Sequence, residues 1–184
     1  VPTAGFTRVD RTEWLLKSVD YGDIAVLPNI QRSIEAERLG AALNKARSVA
    51  DGEGEKSEKA ALVAAGLVNY GEEQFAICRE KKKYTPDLAT DRLGQLANQF
   101  RSTDLGKKYM EAAREWNGEK VTQTARAAAK VYAMILNAAA KMRKNRRDKK
   151  HTQEKAIIIS ALNALKKNFS DTHYYNKAVM LAKG

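Results

Sequence analysis

The sequence predicts an all-α protein, and three observations carry that prediction. Prolines stand only at positions 2, 28 and 86, so long stretches run without a helix breaker. Those stretches are rich in Ala, Leu, Lys, Glu and Arg, the strong helix formers. Apolar residues recur at intervals of three and four, the spacing of one helix face. The expected fold is a compact bundle of seven or eight helices with an extended amino-terminal arm. With 184 residues, 43% of them hydrophobic, the chain can bury its own core. The expected organisation is therefore an arm over 1–9 and a single helical domain over 10–184.

Each element has a local reason. Val1–Val9 has no periodicity and reads as the arm. Asp10 followed three residues later by Glu13 forms a capping-box pattern, opening a short helix with Trp14, Leu15 and Val19. Ile24–Leu27 is apolar and ends at Pro28, so it reads as a buried connector. A helix from about Asn29 to Ala50 follows, with Ile30, Ile34, Leu39, Ala42, Leu43, Ala46 and Val49 inward. Gly52-Glu53-Gly54 ends it. The next helix, about Ser57–Lys82, offers Val63, Leu67, Tyr70 and Ile77 to the core, with Phe75 and Cys78 beside them.

Thr85-Pro86 places a capping residue before a proline at the first helical position. The helix it opens carries Leu88, Leu93, Leu96, Ala97 and Phe100. Asp104 opens another, with Tyr109, Met110, Ala113 and Trp116, closed by Asn117-Gly118 as a left-handed cap. Val121, Ala125, Ala128, Tyr132, Ile135, Ala139 and Met142 then alternate intervals of four and three. That is a seam of 3.5-residue period, filled mainly by small side chains that admit a close neighbour. Asn145 is the expected stop and Thr152 the restart, with Ile158, Ala161, Leu162, Leu165 and Phe169 inward. Ser170 is the expected cap of a last helix carrying Tyr174, Val179 and Leu181.

Charge is distributed unevenly along this pattern. Residues 105–184 hold 18 Lys+Arg against 6 Asp+Glu, a balance of +12; residues 10–104 and the arm together balance at −1. Such a field attracts a polyanion. It peaks at Lys141, Arg143, Lys144, Arg146, Arg147, Lys149 and Lys150, interrupted only by Asp148. A helix dipole accounts for two or three cations at a carboxyl end, not seven. Phosphates neutralise such a cluster and release counterions. The candidate nucleic-acid-binding residues are these seven with Arg126, Lys130, Lys155, Lys166 and Lys167. Lys81-Lys82-Lys83 forms a smaller cluster that suits a helix end, and helix order decides whether it shares a groove with the first.

Other chemistries find no support in the residues. A single cysteine, Cys78, excludes an internal disulfide and a cysteine-based zinc site, and reads as a small buried hydrophobe. His151 and His173 are the only histidines, and His151 with Glu154 is too little for a metal. There is no phosphate-cradling glycine loop or nucleophile motif. No catalytic residue, metal, cofactor or small-molecule substrate is expected. No zinc finger, RNA-recognition motif, KH loop or helix-turn-helix is present, so binding through phosphates and shape is expected over base reading.

The expectation is a non-enzymatic protein that coats or packages RNA or DNA, of the kind a viral coat or nucleocapsid requires. It would self-associate, with an open head-to-tail assembly as one form. A helical scaffold binding an acidic protein is the alternative. No signal-peptide pattern or transmembrane run is evident, so an intracellular or virion setting is expected and membrane binding is not.

Overall fold

The computed structural model describes residues 24–144 and 151–183. Within them every regular element is helical, so the protein is all-α. A 3-10 turn, Ile24–Val26, leads into α1 (Pro28–Glu35), α2 (Leu39–Ala50), α3 (Glu55–Lys82) and α4 (Pro86–Gln99). There follow α5 (Asp104–Gly118), α6 (Lys120–Lys144), α7 (Thr152–Asn168) and α8 (His173–Lys183). The arm over 1–9, the capping-box helix and the stop at Asn145 lie outside the described residues.

The helix expected over Asn29–Ala50 is two helices. Its two apolar stripes are out of phase: at about 100° per residue, Leu39 would sit roughly 140° from Ile34 on one continuous helix. The chain resolves the conflict with a turn at residues 36–38. Glu37 takes a left-handed conformation with φ 56°. The Glu37 amide donates to Ile34 O at 2.8 Å and the Arg38 amide to Ser33 O at 2.9 Å, the paired bonds of a Schellman turn. Ile30, Ile34, Leu39, Ala42, Leu43 and Ala46 are then all buried.

The chain divides into two compact units, and the divide is not the charge boundary at residue 104. The first unit spans residues 1–79 and 91–113; the second spans 80–90 and 114–184. In the first, Val63, Leu67, Leu93, Leu96, Phe100 and Tyr109 are fully buried alongside the α1 and α2 residues. Ile77 and Leu88, read as inward, are exposed, and their neighbours Cys78 and Ala89 take the buried positions. Backbones approach closely around Phe100. A Cβ on Gly40 would fall 2.2 Å from Arg101 O, and one on Gly106 would fall 2.2 Å from Phe100 O. Only glycine fits either place.

α5 opens at Asp104 as expected, and Thr103 before it is the cap. Its hydroxyl accepts from the Gly106 amide at 3.1 Å and donates to Phe100 O at 2.6 Å. Thr85 does not cap through its side chain as expected; its hydroxyl donates back to Lys81 O at 3.3 Å. Gly118 ends α5 without a positive φ, because Glu119 alone separates α5 from α6 and leaves no room for a left-handed turn.

In the second unit α6 packs against α7 and α8. Ala128, Ile135, Ala161, Leu165, Tyr174 and Ala178 form its buried cluster, with Tyr132, Ile158, Leu162 and Phe169 partly buried against it. Seam positions Ala128, Tyr132 and Ile135 belong to this cluster, whereas farther along Ala138 is buried and the expected Ala139 is only half-buried. The seam's first position, Val121, is 55% exposed, and Thr122 is buried in its place. The Tyr174 hydroxyl donates to Asp87 Oδ2 at 2.6 Å, tying the first turn of α8 to the first turn of α4. Ser170 does not cap α8; its hydroxyl donates to Asp171 at 3.3 Å.

Candidate nucleic-acid interface

The charge asymmetry belongs to the second unit. Its residue ranges, 80–90 and 114–184, hold 19 Lys+Arg against 7 Asp+Glu, a balance of +12. The first unit's ranges hold 14 against 15, a balance of −1. In that first unit Lys59, Lys107 and Lys108 are paired with Glu55, Asp104 and Glu72.

α6 arranges the cations of the second unit into a line. At about 100° per residue, Arg126, Lys130, Lys141 and Lys144 fall within roughly 60° of one another. The line runs roughly 27 Å at 1.5 Å per residue. It lies opposite the seam, because Ala128, Ile135 and Ala138 take the buried side of the same helix. Lys130, Lys141, Arg143 and Lys144 are exposed and Arg126 is half-buried. Among the described residues no carboxylate pairs with Lys130, Lys141, Arg143 or Lys144. Between Lys130 and Lys141 the exposed positions are Ala133, Met134, Leu136, Asn137 and Ala140.

The other candidates divide. Lys155 and Lys166 share one face of α7, within about 20°, and Lys167 is turned about 100° from Lys166. All three are exposed. Arg146, Arg147, Lys149 and Lys150 lie outside the described residues. His151 precedes α7 in a left-handed conformation with φ 40°. Phe169 and Tyr174, aromatics standing among cations in sequence, belong to the buried side of the unit.

The smaller cluster is partly consumed by the fold. Lys82 pairs with Glu119 and lies 4.6 Å from the Trp116 ring, so its charge is neutralised internally. Lys81 and Lys83 are exposed. Lys83 shares a cavity wall with Lys120, the first residue of α6. Lys120 and Lys144 are separated by about 36 Å along that helix. Among the described residues, Lys83 and Lys144 therefore stand near opposite ends of α6.

Two side chains are displaced in their titration. Burial, reinforced by the Glu72 charge, pushes the Tyr109 hydroxyl well above its ordinary value. Burial holds His173 below its ordinary value, with Asp87 opposing and Lys177 assisting. Among the described residues no group of three or more His, Cys, Asp or Glu is placed to hold a metal ion. No helix among them is long and apolar enough to cross a membrane. No family model, curated protein or solved structure matches the chain.

Proposed function

We propose that this protein coats nucleic acid through its second unit, gripping phosphates along α6 and the basic run that follows it. The observation that carries the reading is the line of cations on the face of α6 opposite the seam. A solvated helix face ordinarily interleaves acids with its bases. From Val121 to Lys144 α6 contains no acid at all. Its length matches a run of phosphates, not a single anion. Duplex nucleic acid presents one charge per ~1.7 Å of axis, so the ~27 Å line faces more than enough of them.

The reading is of a packaging protein without catalysis, in the manner of a coat or nucleocapsid. Its helical body would carry the grip, and the amino-terminal arm would reach a neighbouring copy. The test is a salt titration of binding to duplex and single-stranded oligonucleotides. Replacing Lys130, Lys141, Arg143 and Lys144 with Ala should weaken binding across all sequences. It should also flatten the slope of log K against log salt by up to about 3.6 on duplex, at ~0.9 per lost contact. An unchanged slope refutes the assignment. Binding to acidic protein in place of nucleic acid would support the scaffold alternative.

A further inference from the structure

A cavity of about 440 Å³ opens in the second unit, at the end of α6 away from the basic run. That volume lies in the range of about 300–1,000 Å³ typical of small-ligand pockets. Three helices begin at its wall: Pro86 opens α4, Lys120 opens α6 and His173 opens α8. Helix starts carry partial positive charge and amides without helical partners, which favours an anion. Lys83 and Lys120 add two full positive charges, and among the described residues the one carboxylate in the wall is Asp171.

The rest of the wall is not what a bare anion requires. Tyr84 is 72% exposed, a large ring held at the mouth with little covering it. Val121 and Ala125 supply apolar floor. His173 carries two ring nitrogens, both buried, that no described group hydrogen-bonds. A ligand suited to this wall is anionic at one end and flat and aromatic at the other, with polar edges.

We propose that this cavity takes one unpaired nucleotide of a single strand, its phosphate held by Lys83 and Lys120 and its base stacked on Tyr84. The proposal rests on the nucleic-acid reading above and narrows it. A duplex keeps its bases stacked inside and could use only the phosphate half of the cavity. A single strand uses both halves. Base stacking on an aromatic side chain is tolerant of sequence, in keeping with the absence of base-reading motifs. The α6 line would then carry the backbone and the cavity would fix one nucleotide beyond it.

The experiment measures binding of the full chain to a homopolymeric single strand and to a duplex of the same length. Tyr84→Ala should weaken single-strand binding by roughly five- to a hundred-fold, the effect of losing one stacked base, and leave duplex binding unchanged. Tyr84→Phe should restore it. Lys83→Ala and Lys120→Ala should each lower the single-strand salt slope by about 0.7. Circular dichroism verifies that these surface variants fold. A free mononucleotide should bind far more weakly than the strand; equal affinity would assign the cavity to a small metabolite instead. If the α6 variants lose binding while Tyr84→Ala matches the parent on single strands, the cavity proposal fails and the α6 reading stands. If the parent protein binds neither strand, both fail together.

Discussion

Replacing Tyr174 with Phe isolates one interaction between residues 87 positions apart. The Tyr174 hydroxyl donates to Asp87 Oδ2 at 2.6 Å, and Asp87 is only 3% exposed. Its other oxygen, Oδ1, has no hydrogen-bond partner among the described residues. Tyr174→Phe therefore leaves a buried carboxyl group with neither oxygen bonded to a side chain. Losing a hydrogen bond to such a group, with the acceptor stranded, costs about 2–3 kcal/mol. For a chain of this size each kcal/mol shifts the melting temperature by about 2–4 °C, so a fall of roughly 5–10 °C is expected. The assay is thermal melting by circular dichroism and calorimetry, run as a cycle with Asp87→Ala. The double variant should be destabilised by less than the two single variants together, because each removes the same contact. Strict additivity, or a Tyr174→Phe variant that melts with the parent, would show that the bond does not hold α8 to the start of α4.

Three further outcomes are expected. Gly40→Ala places a Cβ 2.2 Å from Arg101 O and should destabilise the first unit by about 1–3 kcal/mol or more, whereas Gly94→Ala, with nothing within 4 Å, should stabilise by up to about 1 kcal/mol in chemical denaturation. Ala128→Leu, at a fully buried seam position, should overpack the α6 interface and cost roughly 1–3 kcal/mol in the same assay. His173 titrates below its ordinary value in the fold, so the unfolded chain binds the proton more readily. Its contribution is intact above the ordinary histidine value near 6.5 and is lost as pH falls through that value toward the folded one. His173→Gln should accordingly reduce the fall in melting temperature between neutral and mildly acidic pH.

The all-α class and most helix boundaries were legible because long amphipathic helices announce themselves through spacing. The seam was legible for the same reason, down to Ala128 and Ile135. The break at residues 36–38 was not, although its signal was present. Ile34 to Leu39 is a step of five where a helix asks for three or four, and no glycine marks the left-handed position that Glu37 occupies. The start of α5 at Asp104 was legible, but its cap at Thr103 was not singled out. The cations of α6 could be named from the sequence, and helical period alone aligns four of them. Their side of the helix follows from which residues the core takes. The cavity was beyond reach: Lys83, Lys120 and His173 come together only through the folding of helices far apart in sequence. The internal pairing of Lys82 was equally invisible, since Glu119 lies 37 positions away.

The two glycines that meet the Phe100 turn also bear on kinship. Distant relatives are hard to recognise by overall identity, because surface residues drift and core residues interchange. Gly40 and Gly106 can do neither, since any side chain would collide with backbone that has nowhere to go. Thr103 is bound to the same turn by its two hydrogen bonds. A distant cousin with this fold would have to keep one glycine near the start of its second helix, and about sixty residues later an aromatic, a hydroxyl residue and a glycine at intervals of three. That sparse signature, with an acid-free basic helix downstream, is what ancestry should have preserved after the rest of the sequence has diverged.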